Sequence, residues 1–366
     1  MREGTDIFWI CLPFSAGIAL AIWLRGILPG PFCSMCLAGA LLPLSIMLMI
    51  IAIKNDNSFI IWTLLFLFTG IFCGFSSDGP DISLQESRLL LLAQRCVSHF
   101  RSSIDALPFR SDESREILKA LLTAERSGIE RGTLECFRKC GASHLLALSG
   151  LHLGLIYSLL VISLSFLGNS PIVKLIRSGI IILACLFYCM MTGASASLVR
   201  AMLFILISEL GKLMRWRKSS PIAKFTGALT LQLAGNPSAI STAGFQLSYM
   251  AMAGILLLLP KLQSFYPEAQ KRIEKLNPGR IIWNTTALTI SCQIFTFPVS
   301  YLHFGTLPGH FLLANLTALP LTSAIMVCTI ICLFAAGIGL NPEKLVALDE
   351  KGIDLLLYIM KTISSM

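Results

Sequence analysis

The chain's 366 residues are 55% hydrophobic and only 13% charged, with a mean hydropathy of +0.76. This excludes a water-soluble globular domain and points to a polytopic membrane protein, because apolar runs able to cross about 30 Å of hydrocarbon as helices recur along the whole length. The net charge of +9 is no footprint of nucleic-acid binding, since much of the basic excess lies in short loops between apolar runs.

The expected fold is all-α: a polytopic integral membrane protein with about ten or eleven transmembrane helices and extracytoplasmic amphipathic helices beside them. The first run, Ile7 to Leu24, follows Met1 and Arg2 and contains Ala19-Leu20-Ala21. These are features of a cleavable signal peptide, but with so many later spans an uncleaved first helix does the same targeting and is the plainer reading. Phe32 to Ile53 and Phe59 to Phe75 complete an N-terminal transmembrane unit, residues 1–75.

Residues 76–142 break the apolar pattern. Between Ser76 and Ser143, ten Lys and Arg balance ten Asp and Glu. Ala93, Val97, Phe100, Ile104 and Leu107 repeat at helical spacing, with Arg88, Arg95, Ser98, Arg101, Ser102 and Asp105 largely on the other face. Pro108 stops that helix. Ser111 is the expected N-cap of a second, with Asp112 and Glu113 in its first turn and Ile117, Leu118, Leu121 and Leu122 on its apolar face before Gly128. A third short helix is expected to end at Gly141. Two readings fit this segment: a solvated connector, or a platform of interfacial helices around a pore mouth.

Spans then resume at Leu145–Leu167, Ile172–Met191, Ser197–Leu210, Ile222–Leu233, Ala239–Leu259, Ile281–Tyr301 and Phe311–Ile338. The last is long, and Pro320 divides it into two short spans or kinks it. Residues 143–340 form the core unit and 341–366 a tail. In the tail Leu345, Leu348, Ile353 and Leu357 among charges read as an amphipathic terminal helix. Basic loops set the orientation: Lys212, Arg215, Arg217 and Lys218 in one, five basic residues against Glu268 and Glu274 between Lys261 and Arg280 in another, Lys174 and Arg177 at a third. Counting spans places all three inside with the N-terminus, and residues 76–143 outside.

The stretch Gly141 to Gly154, G-A-S-H-L-L-A-L-S-G-L-H-L-G, sets two histidines, two serines and three glycines in or beside a spanning run. A histidine in lipid needs a partner or a hydrated cavity, so this is the first candidate site. Later spans add Ser197 and Arg200 after a small-residue turn, then Gln246, Ser248, Gln293, Thr296 and Asn315. Singly these fit interhelical hydrogen bonding, and Arg200 fits a snorkelling side chain; together they indicate a hydrated interior.

Several chemistries lack their residues. Gly211-Lys212 is followed by Leu213 and has Leu206 in place of the first glycine, so no phosphate-binding loop of a nucleotide motor is encoded. There is no H-E-x-x-H. The twelve cysteines lie mainly in apolar runs as small hydrophobes; Cys33 and Cys36 have no second pair, and Cys136, Cys140 and His144 share a face only if one helix continues through Gly141. No metal or other cofactor is expected, and no enzyme. Ser149 and His152, at i and i+3, can hydrogen-bond, but a hydrolase also needs an orienting group and an oxyanion hole.

The runs S-H-L-L-A-L-S-G-L-H-L-G (Ser143 to Gly154), T-G-A-S-A-S-L-V-R-A-M (Thr192 to Met202), N-P-S-A-I-S-T-A-G-F-Q-L-S-Y (Asn236 to Tyr249) and the segment Gln293 to Pro320 together resemble the ComEC family of bacterial competence proteins. The resemblance runs in order across most of Glu116 to Pro320. It implies a multispanning channel of the bacterial inner membrane that admits single-stranded DNA to the cytoplasm during natural transformation. It also implies a separate cytoplasmic helicase or ATPase motor, external DNA-receptor or nuclease proteins, and membrane lipid as partners. Longer family members carry an OB-fold-like domain and a metallo-β-lactamase-like domain; here Phe75 runs into the amphipathic segment and the sequence ends at Met366, so the bare channel domain is expected.

A conduit for a flexible polyanion needs wettable walls and a few cations. The expected lining is His144, Ser149, Gly150, His152, Gly154, Ser197, Arg200, Gln246, Ser248, Gln293 and Asn315, with Arg200 the phosphate contact. His144 and His152, on one continuous helix, would sit two turns apart and about 80° around its axis. Two other classes use the same residues: a transporter of a small anionic or lipid-linked solute, and an intramembrane hydrolase built on Ser149. No internal repeat supports the transporter.

Overall fold

The structure is a computed structural model that describes residues 6–25, 59–76, 88–168, 170–214, 220–266, 277–305 and 309–365. Among these, all regular secondary structure is helical. The predicted span Phe32–Ile53, the Cys33 and Cys36 pair and parts of two basic loops lie outside the described residues. The helices are α1 (Asp6–Arg25), α2 (Phe59–Ser76), α3 (Arg88–Asp105), α4 (Asp112–Thr123), α5 (Arg131–Lys139), α6 (Ser143–Leu146), α7 (Gly150–Ser163) and α8 (Pro171–Met191). They continue with α9 (Ala196–Leu213), α10 (Pro221–Gly235), α11 (Ala243–Leu257), α12 (Leu259–Gln263), α13 (Pro278–Phe304), α14 (Phe311–Gly337) and α15 (Glu343–Ser364).

Among the described residues three helices are long and apolar enough to cross a membrane, Gly150–Leu167, Pro171–Met191 and Phe311–Gly337, with shorter apolar stretches at Cys11–Arg25, Thr63–Phe75 and Ala243–Leu257. Helix α9 carries Arg200, Glu209 and Lys212 in its length. Arg200 and Glu209 are buried, as charges in an apolar helix favour, while the exposed Lys212 reaches Glu209 with Nζ at 2.6 Å. Pro320 sits inside α14 without breaking it, so of the two readings of that run the structure has one helix and not two short spans.

Small residues set the closest helix crossings. A Cβ on Gly17 would lie 2.2 Å from Leu67 O, and one on Gly70 2.1 Å from Phe14 O, so the backbones of α1 and α2 touch. Likewise a Cβ on Gly254 of α11 would lie 2.2 Å from Ser291 O of α13.

Residues 88–142 fold close to the expected helix boundaries. Ala93, Val97, Ile104 and Leu107 are buried, and Ser111 caps α4 by accepting from Ser114 N at 3.4 Å. Helix α5 ends at Lys139, two residues before the expected stop, and Gly141 takes a φ of 72° that releases the chain from helix. The apolar faces of α4 and α5 turn into a protein core: Ile117, Leu121 and Phe137 join Ala318 and Met326 of α14 and Ile353 of α15 in one cluster. Helix α15 fastens this assembly. Glu350 Oε1 accepts from both Arg110 N and Ser111 N at 2.8 Å, and the nearly inaccessible Asp349 accepts from Thr329 Oγ1 of α14 at 2.6 Å.

A second cluster packs Leu153 of α7, Ile181 and Cys185 of α8, and Leu198 and Met202 of α9. A third joins Phe14 and Ile18 of α1 to Leu233 of α10 and Tyr249 of α11. The polar residues of interest lie where these last two meet.

Candidate functional site

The helix expected to run through both motif histidines is broken. Helix α6 ends at Leu146, Ala147 is extended, and Ser149, at φ −119° and ψ 169°, begins α7 as its N-cap. Serine wins here because its hydroxyl satisfies a backbone N–H that a continuing helix would bond elsewhere. The two-turn spacing inferred for His144 and His152 is therefore replaced by two separate positions. His144 is exposed and donates from Nδ1 to Gly141 O at 3.0 Å, while His152 is 2% exposed.

His152 stands at the third position of α7, where Glu or Gln completes a capping box. Its Nδ1 accepts from Ser149 N at 3.1 Å and lies 2.9 Å from Ser149 Oγ, which itself accepts from Leu151 N at 3.3 Å. A backbone N–H can only donate, so the ring proton sits on Nε2, a tautomer assigned from its partners. His152 is thus a neutral donor in place. The same bond weakens the hydrolase reading, because the nitrogen that would take a proton from Ser149 Oγ already faces the Ser149 N–H and would be repelled once protonated.

Arg200, one turn into α9, does not snorkel. It is 9% exposed, and its Nη1 donates to the Ser248 carbonyl of α11. A Cβ on Gly150 would lie 2.9 Å from Arg200 Nη2, so the guanidinium occupies the space that any side chain at the first position of α7 would need. Ser248 Oγ donates to Ser197 Oγ at 3.1 Å, one turn before Arg200. Tyr249 OH donates to Gln232 Oε1 at 2.9 Å, and Gln232 Nε2 donates to Ala196 O at 3.0 Å, tying α9, α10 and α11 together beside the arginine. Among the described residues no carboxylate pairs with Arg200. Its positive charge is set near the N-terminus of α7, where backbone dipoles add a partial charge of the same sign.

Gly150, Ser197, Arg200 and Ser248 therefore converge from three segments of sequence, and Ser149 and His152 form the adjoining cap. The remaining candidates stand elsewhere. Gln246 donates to Ile240 O at 2.9 Å, and its Oε1 accepts from His303 Nε2 at 2.9 Å. Asn315 leaves Oδ1 buried and unbonded within α14, and nothing lies within 4 Å of a Cβ on Gly154. Among the described residues no hydrogen bond joins Gln293 or Asn315 to Arg200. Nor does any group of three His, Cys, Asp or Glu there have metal-binding geometry; Cys140 instead caps α5, with Sγ 3.3 Å from Met360 O.

A second polar centre escaped the sequence reading. Glu209 of α9 is 2% exposed; Oε1 accepts from Tyr157 OH at 2.8 Å and Lys212 Nζ at 2.6 Å, and Oε2 from Ser178 Oγ at 2.7 Å. It binds α7, α8 and α9 together. With the Arg200–Gly150 contact it fixes the parallel register of α7 and α9 at two levels. The signal was present as Glu209-x-x-Lys212, one turn apart on a helix. Its apolar surroundings disguised Tyr157 and Ser178 as partners.

A profile described as "Competence protein" matches residues 121–366. The chain is also 30% identical over 192 residues to "ComE operon protein 3" of Bacillus subtilis (strain 168), an alignment covering 52% of this chain and 23% of that relative. The chain thus matches well under two thirds of the relative's length. No solved structure matches it. The matched region contains α5 to α15 and every residue of the Arg200 cluster, and this chain belongs to the Competence protein family.

Proposed function

We propose that this chain is an inner-membrane channel that conducts single-stranded DNA into the cytoplasm during DNA uptake, with Arg200 as its phosphate contact. The observation that carries the reading is a buried guanidinium that no carboxylate neutralises among the described residues, beside the start of α7. An uncompensated buried charge costs several kcal/mol in a protein interior, so a site that retains one is suited to an anion supplied from outside. A single cation among serine hydroxyls and carbonyls holds a phosphate weakly enough for the strand to move on. Membership of the Competence protein family supports DNA as the polymer to which that phosphate belongs.

In this reading residues 143–340 form the conducting core, the N-terminus is cytoplasmic, and the channel is passive and not an enzyme. A separate cytoplasmic helicase or ATPase pulls the strand, and external receptor or nuclease proteins deliver it. His152 contributes by holding the start of α7 in place and by presenting Nε2–H as a neutral donor.

The test measures cytoplasmic entry of labelled duplex DNA in cells lacking the chain and re-supplied with wild type, Arg200→Lys, Arg200→Ala, or Arg200→Ala with His152→Ala, at matched membrane abundance. Entry should require the chain, fall with Arg200→Lys and be lost with Arg200→Ala. Normal entry in the stable double variant removes the basis of the proposal.

A further inference from the structure

Helix α15 has two apolar faces. One, through Val346, Ile353, Leu356 and Met360, is buried in the core formed with α4, α5 and α14. The opposite face holds Leu348, 63% exposed, Leu355, 50% exposed, and Tyr358, 69% exposed. Between them stand the exposed Lys351 and Asp354, neither of which has an ionic partner among the described residues.

Neither water nor lipid suits this face. Water is a poor neighbour for two leucines and a tyrosine in one stripe. The helix runs antiparallel along α14, a candidate span, with Asp349 against Thr329 and a Cβ on Gly352 falling 3.2 Å from Ile325 Cγ1. Lipid against its middle would meet both charges of the Lys351 and Asp354 pair, which hydrocarbon solvates poorly.

The pattern is complementary to itself when reversed. If two such helices pack antiparallel about a two-fold axis between Gly352 and Ile353, Lys351 of each copy lies opposite Asp354 of the other. Tyr358 then covers the exposed Ala347, and Leu348 and Leu355 lie on one flank within reach of their counterparts. An isologous contact needs this kind of patch, in which residue i meets j while j meets i. We infer that the outer face of α15 is a homodimer interface, in which a second copy of this chain neutralises Lys351 and Asp354 and covers Leu348, Leu355 and Tyr358.

The test is charge exchange in the full chain, purified in nanodiscs from cells co-expressing two differently tagged copies. Wild type should co-purify as a dimer by native mass spectrometry. Lys351→Asp alone and Asp354→Lys alone should each lose most of it, because each sets like charges together twice, and Lys351→Asp with Asp354→Lys should restore it. A photoreactive benzoylphenylalanine in place of Tyr358 should form an adduct with the second copy. A monomeric wild type, single exchanges that dimerise normally, a double exchange that fails to recover, or an adduct to lipid or to a different polypeptide would each overturn the assignment. None of these readouts depends on DNA entry.

Discussion

Gly150→Ala separates the role of the Arg200 cluster from the stability of the fold. The added methyl would sit 2.9 Å from Arg200 Nη2 and 3.4 Å from Ala201 Cβ. The second distance is tolerable and the first is not, but the atom that must yield is the far end of a flexible side chain. The guanidinium has to retreat by roughly half an ångström to reach ordinary contact. It is rigid and planar, so that retreat tilts Nη1 away from Ser248 O and moves the charge from the start of α7. Misplacing one charged contact in this way should cost about 1–2 kcal/mol of phosphate binding, a five- to thirty-fold loss of DNA entry. Stability should hold or rise by up to about 1 kcal/mol, since alanine loses less conformational freedom than glycine on entering a helix. Gly154→Ala is the control, because nothing lies within 4 Å of its Cβ position. The assay pairs DNA entry at matched membrane abundance with thermal unfolding of the purified protein. If Gly150→Ala is stable and conducts like wild type, or if the two alanines behave alike, the reasoning fails.

The contrasting glycine is Gly254, whose added methyl would meet the Ser291 carbonyl at 2.2 Å and the Ser291 carbonyl carbon at 2.9 Å. Backbone cannot swing aside, so Gly254→Ala should force α11 from α13 and destabilise by about 1–3 kcal/mol, read as a lower unfolding midpoint. Glu209→Gln replaces one acceptor oxygen with an amide that faces donors from Tyr157, Ser178 and Lys212, and should cost about 1–3 kcal/mol; an unchanged midpoint would mean that the network is dispensable. Between α4 and α5, Glu125 is held below the usual carboxylate range, first by hydrogen bonds from the Ser127 hydroxyl and N–H and then by Arg101, 2.8 Å away. Its contribution to stability is present above the ordinary carboxylate pKa of about 4.3 and is lost as the pH falls through its lower folded value. The drop in unfolding midpoint between pH 6 and pH 3 should therefore shrink in Glu125→Gln, and an equal drop in both proteins would refute this.

Periodicity and capping chemistry made much of the local structure legible in the sequence. Ser111 begins α4 because a serine before Asp112 and Glu113 offers a cap and the acids suit the helix start, and those facts are local. The all-helical membrane class followed from composition alone, because unpaired backbone groups cannot face hydrocarbon. The choice of Arg200 came from the family resemblance, which called for a cation in the conduit; read locally, it fitted a snorkelling side chain equally well. Ser149 shows where local reasoning reached its limit: its flanking residues are apolar enough for one long helix, yet its hydroxyl and His152 Nδ1 close a cap that breaks the run.

What only the tertiary structure decided were partners far apart in sequence. Arg200 faces Gly150 and Ser248, Glu209 gathers Tyr157 and Ser178, and the apolar stripes of α4 and α5 meet α14 and α15 instead of a membrane surface. Hydrophobic spacing fixes which face of a helix is apolar, but not whether lipid or protein covers it, since both satisfy that face equally well. Polar side chains in apolar spans announce that they need partners; which helix supplies them is settled only when all the helices pack.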